Sequence, residues 1–271
     1  MYNEDDIPQY LKSFLDYMST IKGRSANTVK EYYYDLRYAL KYLKITKEDK
    51  ISDKNITPEL IEKTDITKLD KNFLKMIQLN DLYKYLNYLS SVNLDKSSTR
   101  ARKVAALKSF FNYLTFKEKI LDKNPTVELE TPKISKRLPK YLSLDESLSL
   151  LHSVNGEFEK RDLCILTLFL NCGLRLSELV NINMYNIRND ILTVVGKGDK
   201  ERSIHLNNAC KKAIDDYLNK RSSIKGIKDK DALFISKRGT RIGKRTVEMM
   251  VKKYIIQSGL DPKKYSPHKL R

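Results

Sequence analysis

The segment CGLRLSEL, residues 172–179, places an arginine between two apolar runs. Gly173 is predicted to end the first run as a helix C-cap glycine, and Ser177 is predicted to cap the helix that follows. Arg175 would then lie on a tight, rigid turn, from which a guanidinium can bind a phosphate through two parallel hydrogen bonds. An ordinary corner between two helices has the same pattern, so this segment alone leaves both interpretations open.

A second candidate lies in VVGKGDKERSIHL, residues 194–206. The runs 191–195 and 201–206 predict a β-hairpin with a glycine-rich turn, and Lys197 stands in that turn between two glycines. A lysine presented there could protonate a leaving alkoxide or bind a phosphate as a point charge. The alternative is a solvated turn lysine, which the hairpin alone favours.

The third candidate is SPHKLR, residues 266–271, which predicts a helix N-terminus with Ser266 as N-cap and Pro267 as the first helical residue. His268 and Arg271 would share one face of the first turn. Because helix N-termini attract phosphate through free N–H groups and the helix dipole, this pair indicates a site for a phosphoryl transition state.

The net charge of the chain points to a polyanionic partner, since 52 Lys and Arg residues against 34 Asp and Glu give +18. Much of the excess falls in residues 96–108, with five basic residues and no acid, and in residues 236–253, with seven and one. A solvated basic surface is the alternative, but two such patches in separate halves favour contacts to DNA phosphates on either side of a duplex. The candidate DNA-binding residues are Lys96, Arg100, Arg102, Lys103, Lys108, Lys237, Arg238, Arg241, Lys244 and Arg245.

Composition excludes several classes of protein. With 41% hydrophobic and 32% charged residues the chain is globular, and it lacks any run of apolar residues long enough for a membrane span. The acidic beginning is not a secretory signal, and three cysteines without metal-ligand spacing indicate reduced thiols. We therefore expect a cytoplasmic protein with no metal site.

Periodicity predicts a mainly α fold: an all-α N-terminal domain at residues 1–121, a proline-containing linker at 122–141, and an α+β domain at 142–271 with a small antiparallel sheet. The predicted helices cover 7–18, 29–43, a segment beginning at Pro58, 80–91, 98–116, 143–153 (capped by Ser143 and Glu146), 160–172, 208–221 and 243–257. The run 232–236 is predicted as one more strand beside the hairpin.

The three motifs, in this order, resemble the signature of the tyrosine site-specific recombinases, in the Xer-type branch. The resemblance covers nearly the whole chain and implies a helical core-binding, DNA-binding domain followed by most of a catalytic domain. It implies that Arg175 and Arg271 are catalytic arginines, that Lys197 is the hairpin lysine, and that His268 belongs to the His-x-x-Arg pair. Glu178 matches an acidic position that supports the first arginine.

The resemblance also implies the reaction, in which a tyrosine cleaves a DNA strand through a 3′-phosphotyrosyl intermediate without a metal or cofactor. This family acts as a homotetramer on two recombination sites, in chromosome dimer resolution or in integration and excision of mobile elements. Its nucleophilic tyrosine follows the His-x-x-Arg pair, whereas Tyr265 precedes it. We therefore expect a C-terminally incomplete catalytic domain, truncated before the nucleophile, that binds DNA but is inactive for cleavage.

Two alternatives compete with that interpretation. A recombinase-derived DNA-binding protein without catalysis would keep both basic patches, but would not need Arg175, Lys197, His268 and Arg271 together. A type IB topoisomerase shares the chemistry, but the core-binding layout fits it less well.

Overall fold

The computed structural model describes residues 3–92, 95–134, 141–196, 198 and 200–270. The described residues form two compact units, which divide between residues 136 and 137. No helix in those ranges is both long enough and apolar enough to cross a lipid bilayer.

The first unit is built from helices, as the apolar spacing predicts. They are α1 (Gln9–Thr20), α2 (Ala26–Lys47), α3 (Pro58–Lys63), α4 (Lys71–Lys75), α5 (Leu79–Ser91) and α6 (Ser97–Phe116), with a 3₁₀ helix at Asp53–Asn55. Ser25 caps α2, because its side chain accepts a hydrogen bond from the Thr28 N–H at 3.3 Å. Pro58 begins α3 as predicted, whereas the short α4 was not predicted.

Aromatic side chains fill the core of the first unit. Phe14 of α1 packs on Phe110 of α6 with ring centroids 5.3 Å apart, and Tyr42 of α2 packs on Tyr85 of α5 at 5.2 Å. All four rings are completely buried. These edge-on and tilted contacts join α1 to α6 and α2 to α5, and all four rings belong to one cluster of buried apolar residues.

The second unit combines helices with a small sheet. Its elements are α7 (Leu144–His152), α8 (Glu159–Cys172), α9 (Leu176–Val180), β1 (Ile187–Arg188), β2 (Ile191–Val195), β3 (Glu201–His205), α10 (Asn208–Ser222) and α11 (Lys244–Gln257), with 3₁₀ helices at Met184–Asn186 and Pro267–Lys269. The predicted capping box of α7 is confirmed, since Ser143 and Glu146 bond to each other's backbone N–H groups.

Helix α8 is the central helix of this unit. Ile165, Leu166 and Phe169 are fully buried on several faces of it, as expected for a core helix. Near its start, Asp162 accepts a hydrogen bond from the Tyr254 hydroxyl of α11 at 3.0 Å, and Arg161 donates to a backbone carbonyl at 3.0 Å. These contacts fix the helix whose C-terminal end leads into the candidate site.

The predicted hairpin is confirmed, and the sheet is antiparallel in the order β1-β2-β3. In its register Val194 of β2 lies opposite Arg202 of β3. The strand predicted at 232–236 is wrong: Ala232 and Ile235 form only isolated bridges, to Asn183 and Arg241. The apolar residues of this run are buried as core side chains, and its backbone meets only single residues rather than a neighbouring strand.

Candidate active site

The turn between α8 and α9 holds Arg175. Gly173 ends α8 with φ +56°, the left-handed conformation that glycine adopts without strain, so its predicted C-cap role is confirmed. Arg175 itself is the N-cap of α9, and the Glu178 carboxylate accepts the Arg175 backbone N–H at 2.8 Å. The prediction that Ser177 is the cap is wrong, because the helix begins earlier and Glu178 stands where a carboxylate reaches back to the cap.

The Glu178 carboxylate holds two guanidinium groups. Its Oε1 accepts from Arg175 Nη1 at 2.6 Å, and its Oε2 accepts from Arg202 Nη2 at 2.8 Å, while the Glu178 side chain is only 1% exposed. Burial raises the pKa of this carboxyl, but the hydrogen bonds from the Arg175 N–H, Arg202 and Arg175 outweigh burial and hold the pKa at about 2. Glu178 is therefore an anion throughout the neutral range.

Arg175 remains accessible despite this contact. Its side chain is 43% exposed and borders a cleft of about 470 Å³. Most of the residues that line the cleft are polar, among them Asn181, Asn183 and Thr193. A guanidinium that is fixed on one edge and open on another, beside a polar cleft, is suited to bind an oxyanion.

The hairpin begins next to Arg175. Gly196, the first residue after β2, lies close to the Arg175–Glu178 pair. A Cβ at this position would be 3.4 Å from Glu178 Oε1 and 3.6 Å from Arg175 Nη1. Its N–H donates to the carbonyl of Lys200 at 2.8 Å and closes the described part of the loop. Lys197, the predicted hairpin lysine, lies outside the described residues, so its role stays a prediction.

Pro267 begins a 3₁₀ helix, Pro267–Lys269, and is its first residue as predicted, but the predicted side-chain cap is absent. The side chain of Ser266 makes no capping bond, because the Lys269 N–H that it would accept donates to the Ser266 backbone carbonyl at 2.7 Å. His268 is exposed, and Arg271 lies outside the described residues. Tyr265 is buried, and its hydroxyl donates to Glu146 at 2.9 Å.

The basic patch on α6 is largely paired with acidic side chains. Arg102 contacts Asp35 of α2 at 2.5 Å and Glu31 at 2.8 Å. Lys103 is buried, 3.6 Å from Asp35 and 5.0 Å from the centre of the Tyr38 ring. The ammonium group of Lys103 therefore faces protein rather than solvent, which does not suit the predicted contact to DNA.

Other candidates on α6 differ in exposure. Lys96 is exposed, Lys108 is partly exposed, and the guanidinium of Arg100 donates to the backbone carbonyl of Asp95. Their predicted contacts to DNA remain predictions.

The patch around the start of α11 is more open. Lys237, Arg238, Lys244 and Arg245 are exposed. Arg241 instead donates to Asn183 Oδ1 at 2.6 Å and to the backbone carbonyls of Val180, the last residue of α9, and Ile182. It therefore stabilises residues that line the cleft, a structural role that the count of basic residues could not distinguish from a DNA contact.

Arg202 is the site residue that the sequence analysis missed. Along β3, residues 202 and 204 are partly buried whereas 201, 203 and 205 are exposed. The alternation of a strand therefore places Arg202 on the inward face with Ile204, where a charged side chain needs a partner. The alternation of residues 201–205 in the hairpin sequence was therefore a signal that could have identified Arg202.

Comparison with known proteins shows related sequences along almost the whole chain. Residues 140–271 match the Phage integrase family, and residues 11–72 match the N-terminal SAM-like domain of phage integrases. The tyrosine recombinase XerC of Caldanaerobacter subterraneus subsp. tengcongensis is 52% identical over 264 residues, which cover 97% of this chain and 73% of that protein. The tyrosine recombinase XerD of Proteus mirabilis is 32% identical over 274 residues, covering 99% and 79%.

A solved structure supports the fold. The chain is similar to a lambda integrase tetramer bound to a Holliday junction, with a TM-score of 0.67 and 16% sequence identity, over 96% of this chain and 69% of that one. At this identity the similarity concerns the fold alone. It confirms the predicted class, which is mainly helical with a small antiparallel sheet.

Proposed function

Because the chain belongs to the tyrosine recombinases, in the Xer branch, we propose that it cleaves and rejoins DNA strands at specific sites through a 3′-phosphotyrosyl intermediate. The observation that carries this proposal is the Arg175 guanidinium, half-exposed at a polar cleft and held by the anionic Glu178. The biological outcome is the resolution of chromosome dimers or the integration and excision of a mobile element.

The proposed reaction is a transesterification. A tyrosine hydroxyl gives its proton to His268 and attacks the phosphorus, the bond to the 5′-oxygen breaks, and that oxygen leaves as a hydroxyl after accepting a proton from Lys197. Arg175 and Arg271 bind the non-bridging oxygens and stabilise the charge of the transition state, while His268 assists in proton transfer. Reversal rejoins the strand, since the phosphotyrosyl ester keeps the bond energy.

In this proposal cationic side chains supply the charge that Mg²⁺ supplies in metal-dependent nucleases, so no cofactor is required. Residues 1–121 serve as the core-binding domain and residues 142–271 as the catalytic domain, joined by the linker at 122–141. The partner is a double-stranded recombination site, and the protein acts as a tetramer on two sites. The lambda integrase tetramer on a Holliday junction supports this assembly by analogy of fold.

The surface around the start of α11 is the best candidate for contacts to DNA phosphates in the second unit. Lys244 and Arg245 begin the helix, and Lys237 and Arg238 lie shortly before it, all exposed. On α6 the exposed Lys96 and the partly exposed Lys108 are the corresponding candidates.

We also propose that residues 1–271 bind DNA without cleaving it. All seventeen tyrosines precede His268 in the sequence, and the hydroxyl of Tyr265 is bonded to Glu146. Attack on phosphorus needs an oxygen in line at about 3 Å, and a buried, bonded hydroxyl does not supply it.

The test begins with selection of bound duplexes from a random pool, which we expect to enrich one sequence with pseudo-twofold symmetry. A nicked suicide substrate of that sequence is then incubated with this chain and with an extended chain, in which a C-terminal segment with a tyrosine, taken from a related Xer recombinase, follows Arg271. We expect an SDS-resistant adduct with the extended chain only. Failure to enrich any duplex would overturn the proposed function, and enrichment without an adduct by the extended chain would identify a DNA-binding protein without catalysis. An adduct of this chain that disappears with Tyr265→Phe would place the nucleophile at Tyr265.

A further inference from the structure

We propose that Arg202 is a positioning residue for Arg175: by holding one oxygen of Glu178, it limits Arg175 to the other oxygen and keeps its remaining donors available to a phosphate. The inference rests on the proposed function, because it assumes that Arg175 binds phosphate. It adds a residue of the hairpin strand to the support of the catalytic arginine.

The contacts divide the carboxylate between the two arginines. Arg175 Nη1 binds Oε1 at 2.6 Å, and Arg202 Nη2 binds Oε2 at 2.8 Å. Oε2 also accepts the backbone N–H of Arg175 at 2.8 Å. With Arg202 in place, each carboxylate oxygen therefore has its own guanidinium.

Without Arg202, the same carboxylate would offer both oxygens to Arg175. Arginine and carboxylate prefer a fork of two parallel hydrogen bonds, and that fork would occupy two donors of Arg175 and neutralise its charge. With Arg202 present, two guanidiniums share one carboxylate and the cluster keeps a net positive charge. The half-exposed edge of Arg175 carries this charge into the cleft.

Arg202 also connects two parts of the site. On one side it lies opposite Val194 in the hairpin, two residues before the close approach of Gly196 to Arg175. On the other side its Nη2 is 3.3 Å from the carbonyl of Gly173, where α8 ends. One side chain thus sets the distance between the hairpin and the turn that carries Arg175.

The geometry of Arg202 leaves one of its donors unsatisfied. Its Nε is buried and has no hydrogen-bond partner among the described residues, as is also the case for the Nε of Arg221. A buried donor without a partner costs free energy. What distinguishes Arg202 from Arg221 is the contact of its Nη2 with Glu178.

The experiment measures anion binding to Arg175 directly, with inorganic sulfate as a tetrahedral probe that remains ionised across the acid and neutral range. Sulfate is titrated at constant ionic strength into this chain with isotope-labelled arginine, and the guanidinium signals are followed by NMR. Arg175→Ala identifies the signal of Arg175. The variants are Arg202→Gln, Arg202→Lys and, as matched control, Arg221→Gln, which removes an arginine of the same unit that binds two backbone carbonyls far from Glu178 in sequence.

We expect sulfate binding at Arg175 to weaken about tenfold in Arg202→Gln, the loss that one charge-assisted hydrogen bond represents. Arg202→Lys should recover most of the affinity, because an ammonium can also hold Oε2, and Arg221→Gln should bind as the wild type does. On acidification Arg202→Gln should regain affinity, since Glu178 then protonates and releases Arg175, whereas the wild type should not change.

The inference would be overturned if Arg202→Gln bound sulfate as tightly as the wild type. It would also be overturned if Arg202→Lys and Arg221→Gln lost as much sulfate affinity as Arg202→Gln, or if Arg202→Gln did not regain affinity in acid. If the NMR signal of Arg175 in the wild type did not shift with sulfate, Arg175 would not bind the anion. That result would instead contradict the observation on which the proposed function rests. The two failures are therefore distinguishable.

Discussion

Two buried carboxylates in this chain each meet two cationic side chains, yet their pKa values move in opposite directions. Glu178 of the second unit, held by two arginines, has its pKa lowered to about 2. Asp35 of the first unit, in contact with Arg102 and Lys103, has its pKa raised to about 6. The number of neighbouring cations therefore does not decide the charge state of a buried acid.

The difference lies in the number of close hydrogen bonds, since Asp35 accepts one, from Arg102 at 2.5 Å. Glu178 accepts three of them at 2.6 to 2.8 Å, one from a backbone N–H. For Asp35, burial raises the pKa more than its cations lower it, since Lys103 stays 3.6 Å away and the negative Glu31 lies beside the shared Arg102.

The exposure of the cations differs as well. The Arg175 side chain is 43% exposed, whereas that of Lys103 is 11% exposed. The first cluster leaves its arginine partly exposed, and the second buries its lysine.

The largest expected effect is a loss of strand cleavage when Arg175 is replaced. In a full-length recombinase that includes these residues, Arg175→Ala should reduce strand cleavage at least about 100-fold while DNA affinity changes only a few-fold, as for the loss of a group that stabilises transition-state charge. Single-turnover cleavage of a suicide substrate measures this, with Arg221→Ala as control. Equal losses in binding and cleavage would show that Arg175 contributes only to affinity.

The stability of the second unit should depend on the ionisation of Glu178. Because its folded pKa, about 2, lies below the ordinary 4.5, its contribution is present above pH 4.5 and is lost as the pH falls toward 2. The loss should be on the order of 2–3 kcal/mol relative to Glu178→Gln, measured by denaturant unfolding across this range. A difference between wild type and variant that does not change with pH would contradict the assigned pKa.

Asp35 should show the opposite pH dependence. Its folded pKa, about 6, lies above the ordinary 3.8, so its contribution is present below pH 3.8 and is lost as the pH rises through 6. Relative to Asp35→Asn, wild-type stability should fall by on the order of 2 kcal/mol over this interval. If the free energy of unfolding, relative to each amide variant, changed with pH in the same direction for both acids, the contrast between the two clusters would be wrong.

The smallest effect concerns the salt dependence of DNA binding. Changing both Lys244 and Arg245 to Gln should reduce the log–log salt slope by about two, one for each DNA phosphate that the variant no longer neutralises. Arg102→Gln should change the slope less, because Asp35 and Glu31 already compensate its charge. A double change of the exposed Lys212 and Lys225 to Gln removes the same charge elsewhere and is the matched control. Equal slopes for this control and the first variant would show that α11 does not contact DNA.

Much of this fold could be predicted from the sequence because local signals dominate it. Apolar spacing predicted most of the long helices, Pro58 and the Ser143–Glu146 capping box predicted helix starts, and strand alternation predicted the hairpin. The run 232–236 could not be assigned in this way, since a short apolar run has the same pattern in a strand and in a buried core segment.

The site was predictable in part. The position of Arg175 after Gly173 follows from local turn chemistry. The function of each cation does not, because it depends on acids and amides distant in sequence: Asp35 for Lys103, Asn183 for Arg241 and Glu178 for Arg202. Counting basic residues therefore overestimated the surface open to DNA.

The most direct test of the central claim, that Arg175 binds a DNA phosphate, is a methylphosphonate scan. One neutral methylphosphonate is placed at each position of the selected duplex in turn, and the affinities of the wild type and Arg175→Ala are compared. We predict one position at which the neutral group weakens wild-type binding a few-fold, as Arg175→Ala does, and leaves the variant unchanged. If no position shows this dependence on Arg175, the account of the site is contradicted.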